Sequence, residues 1–329
     1  MSRITVIGDG GWGTSLAITL NGNGHQVTVW GPDASYLDEI RATRDNRKFL
    51  PGVPLPETLH WTASEAEAMA QAEGVVLAVP SRYYAATLHR FKGQLPESFH
   101  AVSVSKGFDP DTHQRLSALA VEAWHHPGVA ALSGPSHAEE AARGVPTAVT
   151  VASEQAEEAL FWQEAFNNRS FRVYTSDDII GVEVGGALKN VIALAAGICD
   201  GLGYGDNTKA ALMTRGLAEM SRLGERLGAN PLTFSGLSGI GDLMVTGMSR
   251  HSRNRGVGER IGRGESMESI LGNMVQVAEG VWTAKAAMQL AGELGIDLPI
   301  TSEVHAVLYE GKNPREAVQS LMARPPKPE

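Results

Sequence analysis

The stretch Ile4–Leu20, "ITVIGDGGWGTSLAITL", limits what this chain can fold into more than any other. A β-branched run leads into Gly8, Gly10 and Gly13 at G-x-G-x-x-G spacing, and an apolar helical pattern opens inside the array. Glycine at the first position makes a tight turn, and at the second it lets backbone approach a pyrophosphate. At the third it allows close packing of helix on strand. The helix N-terminus adds unpaired N–H groups and a positive dipole. A glycine-rich turn that holds nothing is the competing reading. It is weakened by a second strand pattern, "QVTVW" at 26–30, which completes the strand–loop–helix context.

Which dinucleotide is meant is less marked. An acid at the end of the second strand suits NAD, whereas an arginine accommodates the 2′-phosphate of NADP. Here Gly31 and Pro32 end the strand and Asp33 comes slightly late. Asp9, inside the glycine loop, must point away from the phosphates or be hydrogen-bonded.

Further strand-like runs lie at 74–80, 100–105, 128–134, 146–152 and 170–175, with helical patterns between most of them. This alternation predicts an α/β fold, with an N-terminal Rossmann-like, doubly wound, mostly parallel sheet. After about Asp177 the strand signals stop. Apolar residues then recur at threes and fours, as in Met213, Leu217, Met220, Leu223 and Leu227. An all-α C-terminal domain follows from that pattern. The expected division is a dinucleotide-binding domain over 1–177 and a helical substrate domain over 178–329, since 329 residues exceed one core.

A net charge of −9 argues against a nucleic-acid binder, so any bound anion needs a local cluster of cations. Cys199 is the single cysteine, which excludes an internal disulfide and a multi-cysteine metal site, and no metal is expected. The N-terminus shows no signal-peptide pattern, and no uninterrupted apolar run reaches the ~20 residues of a membrane span. The expectation is a cytoplasmic chain without a transmembrane segment.

Candidate chemistry gathers in the second half. "VEVGGALKNVIALAAGI" (182–198) reads as a buried helix, yet Lys189 and Asn190 sit in its middle. A buried ammonium is costly without a partner, so Lys189 either snorkels to solvent or serves chemistry. "GLSGIGDLMVTG" places Asp242 among glycines and apolar residues, where a carboxylate wants a cation such as Lys189. Lys106 follows a strand end, where open sheets bind ligands; a plain surface lysine is the alternative. "SRHSRNRGVGERIGRG" (249–264) sets Arg250, Arg253, Arg255, Arg260 and Arg263 against Glu259 alone. It is either a phosphate site or a salt-bridged helix face.

Taken together, "GDGGWGTSLA", "NRKFLP", "VSKG", "SGPSHAEEAARGVPTA", "GVEVGGALKNVIALAAGICDGLGYGDNTKAAL", "TRGLAEMSRLG", "GLSGIGDLMVT" and "SRNR" resemble the NAD(P)-dependent glycerol-3-phosphate dehydrogenases of the bacterial biosynthetic type. The resemblance spans nearly the whole chain. It implies reduction of dihydroxyacetone phosphate to sn-glycerol 3-phosphate with NAD(P)H, feeding phospholipid synthesis. Lys189 would be the proton donor or acceptor, with Asn190, Lys106 and Asp242 around the reacting centre. Gly134 and Ser136 would meet substrate, and Ser252, Arg253 and Asn254 its phosphate. Gly11, Trp12, Phe49, Lys106, Ala138, Arg253, Val277 and Glu279 would join Gly8, Gly10 and Gly13 as cofactor contacts.

Three positions depart from the family pattern. Pro32 stands where arginine or histidine is frequent, His137 where an aromatic is usual, and Phe49 where tyrosine is usual. The rival enzyme is a β-hydroxyacid or 6-phosphogluconate-type dehydrogenase. That group resembles a K-x-x-x-N arrangement, whereas Lys189 and Asn190 are adjacent. A non-catalytic dinucleotide sensor is the other alternative, but it would not need cleft lysines and an aspartate held at a desolvation cost. The expected partner is a small-molecule substrate, and a homodimer is the base-rate assembly.

Overall fold

The computed structural model describes residues 1–272, 274, 278–326 and 328. Its strands are β1 (Arg3–Ile7), β2 (Gln26–Trp30), β3 (His60–Thr62), β4 (Gly74–Leu77), β5 (His100–Ser103), β6 (Ala130–Ser133), β7 (Thr147–Ala152) and β8 (Phe171–Ser176). They form one eight-stranded sheet in the order β3-β2-β1-β4-β5-β6-β7-β8. Neighbours run parallel except β6 and β7, which pair antiparallel. The mostly parallel, Rossmann-like sheet is as the alternation predicts. The short β3 is the strand that the sequence reading lacks.

Strand order reverses between β1 and β4, opening a crevice at their C-terminal ends. The glycine loop lies there, with Gly8 packed on the carbonyl of Ala78 just past β4. Helix α1 (Gly11–Gly22) starts from that loop, and α2 (Ser81–Phe91) starts just past the end of β4.

Past β8 the chain is helical. We name α3 (Ile179–Gly201), α4 (Asp206–Arg226), α5 (Asp242–Met248), α6 (Arg253–Gly262) and α7 (Glu279–Leu294). By length and a mean hydropathy of 1.6, α3 is long and apolar enough to cross a membrane. Here 94% of that apolar window is buried inside the protein, and α3 forms the axis against which α4, α5, α6 and α7 pack.

The crossing of α3 on α6 is a backbone-to-backbone contact. A Cβ on Gly197 would lie 2.0 Å from the Arg255 carbonyl, and one on Gly258 would lie 2.0 Å from the Leu194 carbonyl. Gly201 and Gly262 are as tightly confined, at 2.2 and 2.5 Å from the carbonyls of Glu259 and Ile198. No larger residue fits there without moving a helix. This approach brings the start of α6, with Ser252–Asn254, alongside the Lys189 turn of α3.

Candidate active site

Three elements bring their charges to one point. α3 contributes Lys189, the loop after β5 contributes Lys106, and the first turn of α5 contributes Asp242. Asp242, 1% exposed, accepts hydrogen bonds from Lys106 Nζ at 2.6 Å and Lys189 Nζ at 2.9 Å. Ser133 Oγ, at the end of β6, donates to the same carboxylate at 3.3 Å. Lys189 also donates to Thr246 Oγ1 at 2.7 Å, and Lys106 donates to the Gly134 carbonyl at 3.0 Å. Ser136 Oγ lies 3.4 Å from Lys106 Nζ and donates to the Gly134 carbonyl at 2.8 Å. Lys189 is 7% exposed, so it does not snorkel.

A single turn of π-helix, Leu237–Gly241, precedes α5 and aims Asp242 inward. It depends on Gly239, whose Cβ would fall 2.1 Å from the Phe234 carbonyl. Such wide turns recur at functional sites.

Two ammonium groups share one carboxylate, which leaves a net positive charge in a dry setting. Burial pulls the Lys189 ammonium down to about 8 from 10.5; Lys106 and Arg253 push the same way, and Asp242 opposes them. For Asp242, burial works to raise the carboxyl, but the flanking Lys106 and Lys189 outweigh it and hold it below the usual range. The result is an amine poised near neutral pH beside a permanent anion. His137 stands close by, its basicity lowered by burial and by the Lys189 charge.

At the neighbouring end of the cleft, Ser252 caps α6 by accepting from Arg255 N at 3.2 Å. Asn254 Nδ2 donates to Asn190 Oδ1 at 2.9 Å, and Asn254 Oδ1 accepts from Gly280 N at 2.9 Å. Asn190 Nδ2 donates back to the Gly186 carbonyl at 3.3 Å. The two asparagines thus form a buried relay that locks α3, α6 and α7 together. The arginine run is for the most part a salt-bridged face. Arg255 pairs with Asp200 at 2.6 Å and Glu259 at 3.5 Å, Arg260 pairs with Glu265 at 2.6 Å, and Arg263 pairs with Glu259. Arg253 is the member whose charge reaches Lys189 on one side and Glu279 and Glu139 on the other.

The glycine loop passes a direct test of fit for a dinucleotide. Gly8 has φ +124°, and a Cβ there would sit 2.4 Å from the Ala78 carbonyl. Gly13 would meet the Gly8 carbonyl at 2.2 Å. Those two glycines are demanded by the fold. Gly10 is different: its φ is −65° and a Cβ would meet nothing within 4 Å. The protein leaves that space open, as an approaching pyrophosphate requires.

A Cβ on Gly11 would lie 2.6 Å from the Phe49 carbonyl and 3.7 Å from Ala138 Cβ, so these three expected cofactor contacts are neighbours. The Trp12 indole packs on Phe171, with ring centroids 6.3 Å apart. Glu279, at the start of α7, accepts from Ser81 N at 3.1 Å and Ser81 Oγ at 2.5 Å, bridging to α2, and burial raises its carboxyl. Val277 lies outside the described residues. Asp9 turns its carboxyl against Gly31 at the end of β2.

Two neighbours of the charged centre escape the sequence reading. Thr246 lies four residues after Asp242, one helical turn on, so the spacing could have revealed it. Ser133 carries no such signal. Among the described residues, no group of three or more His, Cys, Asp or Glu side chains could hold a metal.

Comparison with known proteins gives the family and the fold. Residues 3–159 match the family model of the NAD-dependent glycerol-3-phosphate dehydrogenase N-terminus, and residues 178–319 match that of its C-terminus. A glycerol-3-phosphate dehydrogenase (NAD(P)+) of Geobacillus thermodenitrificans is 52% identical over 333 residues, covering 100% of this chain and 97% of that one. One from Chlorobium limicola is 49% identical over 330 residues, covering 99% of both. The crystal structure of glycerol-3-phosphate dehydrogenase from Coxiella burnetii superposes with a TM-score of 0.95 at 35% identity, covering 98% of this chain and 99% of that one.

Proposed function

This chain belongs to the NAD-dependent glycerol-3-phosphate dehydrogenase family, and from that premise we propose that it reduces dihydroxyacetone phosphate to sn-glycerol 3-phosphate with Lys189 as the proton donor. The observation that carries this reading is the buried Lys106–Asp242–Lys189 cluster, built from both the sheet and the helices. The Gly8–Gly13 loop would hold a nicotinamide dinucleotide, which would supply the hydride. The rest of the work falls to the chain's own residues.

Arg253, with Ser252 and Asn254 at the start of α6, takes the substrate phosphate through charge-assisted hydrogen bonds. That anchors the carbonyl near Lys189. As the carbonyl is reduced its oxygen gains negative charge, and the ammonium of Lys189 stabilises that oxygen and protonates it. Asp242 and Thr246 hold the amine in place, Asn190 bonds the Gly186 carbonyl one turn back, and the Gly134 carbonyl holds the Lys106 ammonium. Lys106 adds a second positive charge that keeps Lys189 acidic enough to give up its proton near neutral pH. Ser136 shares the Lys106 side of the pocket.

A division of labour at about 177/178 is supported by the change from sheet to helices between β8 and α3. Supply of glycerol phosphate for phospholipid synthesis, a cytoplasmic location and a homodimer complete the proposal, the last from the prevalence of twofold assemblies. The test is oxidation of NADH or NADPH, read as loss of absorbance, with dihydroxyacetone phosphate as substrate. Turnover with it, and none in the reverse assay with a β-hydroxyacid or 6-phosphogluconate, is the expected result. The reverse pattern would overturn the assignment.

A further inference from the structure

In this fold the adenosine ribose lies beside the end of the second strand, where a side chain decides between a free 2′-hydroxyl and a 2′-phosphate. The chemistry that this chain presents there is anionic. Pro32 follows Gly31 and offers neither a backbone N–H nor a side-chain donor. Asp33 comes next and is exposed. Its Oδ1 accepts from Ser35 Oγ at 2.6 Å, Ser35 N at 3.1 Å and Tyr36 N at 3.2 Å, capping the helix Ala34–Thr43. These bonds, the one from the Ser35 hydroxyl above all, hold its carboxyl below the usual range.

A second carboxyl arrives from the glycine loop. The Asp9 side chain lies 2.7 Å from where a Cβ on Gly31 would stand, and burial raises its carboxyl, with the Asp33 charge adding to the same effect. Lys48 is the cation whose charge reaches both acids. Its Nζ lies over two rings, 5.5 Å from the centre of Tyr36 and 4.9 Å from that of Phe49. Asp33 is therefore the exposed anion at the place where a dianionic phosphate would have to fit, with Lys48 as the cation that reaches it.

We propose that this chain prefers NADH to NADPH, and that Asp33 sets the preference by repelling a 2′-phosphate at a strand end where Pro32 supplies no donor. The proposal rests on the reading that the dinucleotide lies on the Gly8–Gly13 loop. The carboxylate also suits NADH directly, as an acceptor for a ribose hydroxyl.

The test is binding, measured as dissociation constants for NADH and NADPH by quenching of protein fluorescence, with kcat/KM for both alongside. NADH should bind at least ~10-fold more tightly, a ratio within reach of like-charge repulsion near a surface. Asn matches Asp as a helix cap, so Asp33→Asn should fold normally and narrow the ratio several-fold. Adding Pro32→Arg to it should reverse the ratio. The wild-type ratio should also shrink as salt rises, since exposed charges are screened. Parity in the wild type, a ratio unmoved by Asp33→Asn, or a salt-independent ratio would each overturn the proposal. Gly10→Leu separates the two layers of the argument, because the open space around Gly10 lets the variant fold. If it weakens both nucleotides while Asp33→Asn changes nothing, the preference fails and the loop reading stands. If it weakens neither, the loop reading itself fails.

Discussion

Replacing Asp242 by asparagine removes one charge and almost no volume. In the wild type that carboxylate accepts from both ammonium groups, at 2.6 and 2.9 Å, in a pocket where it is 1% exposed. Without it Lys106 and Lys189 face each other with no anion between them. Breaking a buried pair by removing one partner costs ~3–5 kcal/mol, which should appear as a lower denaturation midpoint. The functional effect is more specific. Asp242 is what raises Lys189 against burial and the Lys106 charge. Removing an opposite charge at this distance lowers a lysine by ~1–3 units, so an amine that titrates at about 8 becomes mostly neutral at physiological pH. A neutral amine cannot protonate the nascent alkoxide, and ketone reduction should fall ~100-fold or more. The assay is kcat for dihydroxyacetone phosphate reduction against pH. The alkaline limb, near 8 in the wild type, should move to lower pH in Asp242→Asn. An unmoved limb in a folded variant would refute the argument.

Further outcomes follow from the same geometry. Lys189 titrates at about 8 in the folded chain and near 10.5 when unfolded, so the unfolded state holds more protons between those values. Stability attributable to this group should therefore rise with pH across that window, recovering a penalty of ~3 kcal/mol that applies in full below it. Asp242 acts in the acid range with the same sign of slope: its contribution is present above 3.8 and is lost as pH falls through its depressed value. Denaturation midpoints of wild type and Lys189→Met across pH separate the lysine's part, and a window absent from their difference would contradict it. Arg253→Ala should raise KM for dihydroxyacetone phosphate ~10–100-fold, from the ~1.5–3 kcal/mol of a charged hydrogen bond; an unchanged KM would remove Arg253 from the phosphate site. Gly258→Ala should gain ~1 kcal/mol in helix propensity yet lose more, because its Cβ would lie 2.0 Å from the Leu194 carbonyl. A net loss of ~1–3 kcal/mol in chemical denaturation is expected, and a stabilised variant would show that the α3–α6 crossing is looser than described.

Much of this architecture is legible in the sequence because it is set by local patterns. The glycine loop declares itself through spacing between a strand and a helix, and the period change near Asp177 marks where the sheet ends. The pairing of Lys189 with Asp242 follows from cost alone, since each is an ion stranded among apolar residues. What stays hidden depends on contacts distant along the chain. Whether the arginine run is an anion site or a salt-bridged face stays open until Asp200 is seen beside Arg255 in space. β3 has three residues, too few to show a period. Gly197 and Gly201, like Gly258 and Gly262, read as weak points in helices, and only the crossing explains them. The inward hydroxyl of Ser133 has no compositional mark.

The claim on which the account depends is that the Lys189 ammonium gives its proton to the substrate oxygen. Turnover of Lys189→Ala, set beside its affinity for NADH, tests that most directly. At least ~100-fold loss in kcat with cofactor affinity retained is the predicted result. Near-normal turnover in a folded Lys189→Ala chain would contradict it.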